Sequence, residues 1–193
     1  MFTALLDTCV LWPSVQRDFL LSLAIEGMYR PIWSSAILEE LEISENAKLT
    51  DRSGMSSGKA ELQARHLIEE MRANFEDAEV VGWEGLEGSY GLPDPDDEHV
   101  LAAAVVGGAG AIVTLNHKDF PRAMMPHGLE VLSPAAFALS TVSLKPDQAW
   151  QAVREIVDRS GKRGPVRTTD EVLTVLAGRY GMIDAVDLLR EFN

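Results

Sequence analysis

Four carboxylates stand where the apolar patterning of the chain breaks: Asp7 closes LLDTCV, Glu40 lies in SSAILEELE, Asp97 in LPDPDDEHVLAAA and Asp119 in TLNHKDFP. Loops that follow the strands of an open parallel sheet gather at one edge, so acids carried there converge. Carboxylates packed together repel and raise one another's pKa unless a hard cation lies between them. Oxygen-held Mg²⁺ or Mn²⁺ can bind a phosphodiester and lower the pKa of an attacking water, which requires no side-chain nucleophile. Each acid also has a plain structural reading. Asp94 or Asp96 suits a helix N-cap before Pro95, and Asp97 suits a first-turn acid. Glu39, Glu40 and Glu42 together suit a solvated helix face, and Asp119 a turn before Phe120 and Pro121. Asp7 resists such a reading best, because a charge that closes an apolar strand needs a reason.

The elements that would position these acids alternate. Thr3 to Leu6 reads as a strand, and Phe19, Leu20, Leu23 and Ala24 have helical spacing with Gly27 as a stop. Ser34 or Ser35 caps a helix to about Ile43, and the polar stretch from Ser44 to Lys59 reads as a loop. Leu62, Leu67, Ile68 and Met71 mark another helix, followed by a short strand at Glu79 to Val81 and a turn-rich loop from Gly85 to Pro95. Val100 to Val106 reads as helix, with strands at Ala111 to Leu115 and Leu129 to Leu132. This alternation predicts an α/β fold with a mostly parallel sheet covered on both faces. From Ser140 onward three helices are expected, over 147–159, 169–180 and 183–191, with Thr168 and Glu171 spaced as a capping box.

Composition excludes several classes. The chain has 193 residues and a formal charge of −13, so no global basic field draws it onto nucleic acid. Residues 1–139 carry 9 basic and 22 acidic side chains and residues 140–193 carry 8 of each, which places the whole excess in the α/β part. Cys9 is the single cysteine, which rules out an internal disulfide and a cysteine-rich zinc site and fits a reducing, cytoplasmic setting. The N-terminus lacks a basic leader, and the uncharged stretch between Val100 and Lys118 holds Gly107, Gly108 and Gly110, so neither a signal peptide nor a membrane span is expected. No phosphate-binding GxxxxGK[ST] loop occurs. Cys9 stands where an aspartyl-phosphate phosphatase would need a second acid after Asp7, and it reads as a packing residue. His99 and His117 read as surface or helix-end residues.

Taken together and in order, LLDTCVLWP, SSAILEELE, LPDPDDEHVLAAAV and IVTLNHKDFP resemble the PIN-domain ribonucleases, in particular the VapC-type toxins of bacterial toxin–antitoxin pairs. The resemblance covers residues 1–138 and implies a PIN-like three-layer α/β/α nuclease domain there, with residues 139–193 as the C-terminal helical segment of a longer subgroup. It implies that Asp7, Glu40, Asp97 and Asp119 hold Mg²⁺ or Mn²⁺ and cleave RNA. Thr114 and Asn116 would then support the first and last acids, with Asp94 and Asp96 as extra acids near the metal. Where many relatives carry Asn, this chain has Cys9. A cognate antitoxin, which in the family inserts a basic side chain among the acids, and a homodimer are the implied partners. Two other functions remain open: a silent PIN-like scaffold that binds a protein, and a housekeeping RNA-processing nuclease.

An acidic chain needs local cations to approach RNA. Arg159, Lys162, Arg163 and Arg167 form the denser cluster and are candidate RNA or partner contacts, whereas Lys48, Arg52, Lys59 and Arg65 read as ordinary solvated charge. Trp33 or Trp83 is available to stack a base, although core packing is the commoner use of such a residue.

Overall fold

The computed structural model describes residues 1–162 and 165–192. In chain order the described elements are β1 (Thr3–Leu6), α1 (Thr8–Leu11), α2 (Ser14–Ile25), β2 (Arg30–Ser34), α3 (Ser35–Ser53), α4 (Ser57–Asn74), β3 (Glu79–Val80), α5 (Glu98–Val106), β4 (Ala111–Val113), β5 (Glu130–Leu132), α6 (Pro134–Leu144), α7 (Pro146–Arg159), α8 (Thr169–Tyr180) and α9 (Ile183–Phe192). The strands form one sheet in the order β3-β2-β1-β4-β5. β1 pairs in parallel with β4, placing Leu6 opposite Val113, and β2 pairs in parallel with β3. The expected α/β class with a mostly parallel sheet is therefore present.

The chain divides into two compact units, each assembled from separated segments. One comprises residues 1–2, 13–30 and 132–193, and the other comprises residues 3–12 and 31–131. The second unit holds most of the sheet together with α1, α3, α4 and α5. Its core is built from Leu5, Leu6, Ile32, Trp33, Ile37, Leu41 and Leu101, all without solvent exposure. α5 packs against β1 and β4. Its C-cap must be small, since a β-carbon on Gly107 would stand 2.4 Å from Ile32 Cδ1 and 2.8 Å from Val80 Cγ2. In the first unit α2 packs on α7 and α8. There Tyr29 donates to the Leu20 carbonyl at 2.9 Å and meets Phe137 edge-on at 4.7 Å.

One expectation about the elements needs correction. The stretch from Ser44 is not a loop: α3 continues to Ser53 and ends on Gly54 with φ at +61°. Its buried face runs Leu41, Glu45 and Leu49, a four-residue spacing, and packs on the Ala60, Ala64, Ile68 and Met71 face of α4, so tertiary burial outweighs the polar composition. Trp33 and Trp83 are core residues, 0% and 6% exposed. β2 and α6 were not foreseen. The capping box at Thr168 is present, with Glu171 accepting from the Thr168 amide.

Candidate metal centre

Because β1 and β4 are hydrogen-bonded neighbours in register, the residues that follow them emerge side by side. The Asp7 amide donates to Val113 O at 3.1 Å, and the Asp7 carbonyl accepts from Val10 and Leu11, which turns the chain into α1. The Asp7 side chain, 6% exposed, receives Thr114 Oγ1 at 2.6 Å and Cys9 Sγ at 3.1 Å, both on Oδ2. Burial, then the charge of Asp7, pushes the Cys9 thiol up to about 12, so it is a protonated donor at neutral pH. Cys9 Sγ also accepts from the Leu115 amide at 3.2 Å.

Asp97 is the N-cap residue of α5, and its Oδ2 accepts from Asn116 Nδ2 at 3.0 Å. Asn116 thus reaches the third acid through its side chain and the fourth through its backbone carbonyl, which accepts from the Asp119 amide at 3.1 Å. Asp119 is buried and its Oδ2 has no hydrogen-bond partner; Lys118 Nζ lies 3.6 Å from that oxygen. Asp94 caps the turn at 95–97 by accepting from the Asp96 amide at 3.0 Å, while Asp96 itself is exposed. Asp94, Asp97 and Asp119 each present an oxygen such that all three lie within 4.8 Å of one another. Burial, then the charges of Asp7, Asp119 and Asp94, pushes the Asp97 carboxyl up to about 6. An all-carboxylate donor set with one buried oxygen that receives no hydrogen bond suits a hard cation such as Mg²⁺ or Mn²⁺.

Asp7 and Glu40 stand outside that triad among the described residues. Asp7 acts on Asp97 through its charge. Glu40, on the second turn of α3, accepts from Thr8 Oγ1 at 2.6 Å and faces His99 Nε2 at 3.1 Å. Burial pushes the Glu40 carboxyl up, but the hydrogen bonds from His99 and Thr8 outweigh it and hold it low. Burial pulls His99 down, yet the hydrogen bond and charge of Glu40, then the charge of Asp7, leave it raised. His99 is therefore a buried residue, 6% exposed, rather than the surface group its position in the sequence suggested. Glu98, which sequence reasoning passed over, is 2% exposed and accepts from the backbone amides of Tyr90 and Leu92 at 3.1 and 2.7 Å, fastening the loop that carries Asp94. A carboxylate in the first turn of an otherwise apolar helix is the available signal.

Of the C-terminal cations, Arg159 donates to Asp18 at 3.0 Å and to Ser22 at 2.8 Å, Lys162 is exposed, and Arg167 donates its amide to Ser160 Oγ. Arg163 lies outside the described residues.

The family model for the PIN domain matches residues 3–118, a span that includes Asp7, Glu40, Asp94 and Asp97 and stops one residue before Asp119. No curated protein and no solved structure matches the chain.

Proposed function

The chain belongs to the PIN domain family, a nuclease fold, and from this premise we propose that it is a divalent-metal-dependent endoribonuclease that hydrolyses phosphodiester bonds in RNA. The observation that carries the reading is the convergence of Asp94, Asp97 and Asp119, each with an oxygen within 4.8 Å of the others, with Asp97 raised by burial and then by its acidic neighbours. A Mg²⁺ or Mn²⁺ ion bound there would neutralise these charges, engage a phosphate oxygen and acidify a water. Asp94, Asp97 and Asp119 would hold the ion. Thr114 and Cys9 both donate to Asp7 Oδ2 and fix that carboxylate, whose charge acts on Asp97. Asn116 orients Asp97 from one side. Glu40, kept ionised by Thr8 and His99, serves as a further ligand or orients the attacking water.

The test is cleavage of total cellular RNA by wild type, Asp7→Asn and Asp97→Asn with Mn²⁺, Mg²⁺ or EDTA, read by fragment sequencing. Discrete cuts that require metal and disappear in both folded variants are expected. Equal cutting by the variants would remove the site assignment, and no cutting by folded wild type under any metal would leave a binding scaffold as the better reading. The resemblance to VapC-type toxins extends the proposal to a toxin held in check by a neighbouring antitoxin. Growth arrest on expression, relieved by co-expressing that neighbour, is the expected outcome, and harmless expression points to a housekeeping nuclease.

A further inference from the structure

Helix α3 carries a stripe at four-residue spacing, Glu40, Ser44, Lys48 and Arg52, and Thr8 and Trp12 share that spacing at α1 and its C-cap. The two stripes meet rung by rung. Thr8 reaches Glu40 at 2.6 Å, Trp12 Nε1 donates to Ser44 O at 3.2 Å, and Lys48 Nζ donates to Trp12 O at 3.3 Å. The Arg52 guanidinium lies 5.0 Å and the Lys48 ammonium 5.6 Å from the Trp12 ring centroid. Lys48 is also paired with Glu45, but exposed Arg52 has no carboxylate partner among the described residues. One end of the stripe therefore adjoins the acids through Glu40 and His99, and the other is a cation laid on a half-buried indole.

At a rise of 1.5 Å per residue, Glu40 and Arg52 are about 18 Å apart along the helix. That length matches roughly five stacked nucleotides. A ligand that satisfies both ends must approach an acidic site and yet present aromatic faces and anionic groups at regular intervals. Single-stranded nucleic acid has this composition, since every base has a face to stack and every linkage a phosphate for a guanidinium. We propose that Trp12 and Arg52 form an RNA subsite, the indole–guanidinium stack receiving a base and Arg52 holding the adjoining phosphate, several nucleotides from the bond that is cut. This deepens the nuclease reading and rests on it.

The probe is a fluorescein-labelled, twelve-nucleotide, mixed-sequence single-stranded RNA, titrated with the full-length protein in EDTA across a KCl series and followed by anisotropy. Arg52→Ala is expected to weaken binding about fivefold to tenfold and to lower the slope of log K against log salt by about 0.7, one phosphate contact. Trp12→Leu weakens binding about tenfold with little change in slope, the signature of a lost stack rather than a lost charge. Arg154→Ala, an exposed cation on α7, is the control and binds like wild type. With Mn²⁺ present, Arg52→Ala raises KM for the twelve-mer more than it lowers kcat, and the penalty shrinks as the substrate is shortened toward a dinucleotide.

Should Trp12→Leu misfold by circular dichroism, exposed Arg52 still decides. Cleavage with wild-type binding by Arg52→Ala overturns the subsite and leaves the nuclease reading standing. Weakened binding by Arg52→Ala with no RNA cut under any metal keeps the RNA surface and removes the nuclease reading. A wild-type protein that binds no RNA overturns the subsite.

Discussion

Asp97 is the residue at which the cost of the site is concentrated. Its carboxyl is raised to about 6, so the folded protein holds that proton more tightly than the unfolded chain does. The sign follows: at neutral pH the ionised group destabilises the metal-free fold, and the penalty is relieved as pH falls through about 6 toward the ordinary aspartate value. Asp97→Asn should therefore melt higher than wild type at pH 7.5 in EDTA, and the difference should narrow by pH 5 and close only near the ordinary aspartate value, about 4. The same proton competes with a cation, so apparent Mn²⁺ affinity of the wild type should fall below pH 6, which calorimetric titration at pH 7.5, 6.5 and 5.5 would read. A pH-independent gap in melting temperature between the two proteins would show that Asp97 is not the strained group. Cys9 carries a different lesson. Its thiol donates to Asp7, so the support for that acid comes from a sulfur donor two residues along the chain.

At the scale of elements, the acids were legible because each interrupts a local apolar pattern, whereas their supports were not. Thr114 to Asp7 and His99 to Glu40 are contacts across 107 and 59 positions, and no local spacing announces them. β2 leaves little trace in the sequence because RPIWS is brief, contains a proline and runs directly into the Ser34 cap. The second half of α3 does likewise because Ser44, Asn46, Thr50 and Asp51 favour loops in isolation. Reading that half as a loop also hid the stripe from Glu40 to Arg52, which exists only if the helix continues. The seat of α5 gives an element-level prediction. Gly107→Ala places a methyl group against Ile32 and Val80 and should destabilise the fold by about 1–3 kcal/mol, measured as a lower urea midpoint with an unchanged m-value. Unchanged stability would show that the sheet yields there at no cost.

For the molecule as a whole, the division of the chain places α2 with the C-terminal helices although more than a hundred residues separate them in sequence. Phe19, Leu20 and Leu23 on α2 are fully buried, α2 packs on α7 and α8, and Arg159 of α7 bonds Asp18 and Ser22 of α2. Burying three such side chains is worth about 5–9 kcal/mol, comparable to the entire stability of a typical domain. A protein truncated after residue 138 should consequently fail to unfold cooperatively and should bind the dye ANS. A sharp thermal transition in that truncation would show that α2 finds another partner. The surface excess of negative charge lies entirely within residues 1–139, which makes cationic footholds there scarce and gives Arg52 disproportionate weight.

Glu98 shapes how such a site comes into being. Two main-chain amides close on its buried carboxylate, so the loop that brings Asp94 toward Asp97 takes its form as the chain folds. Conformational freedom in that loop is then lost before any ion arrives, and ion capture proceeds on a template already set. Selection among cations would follow from the size and hydration of the ion, with little left to the flexibility of its hosts.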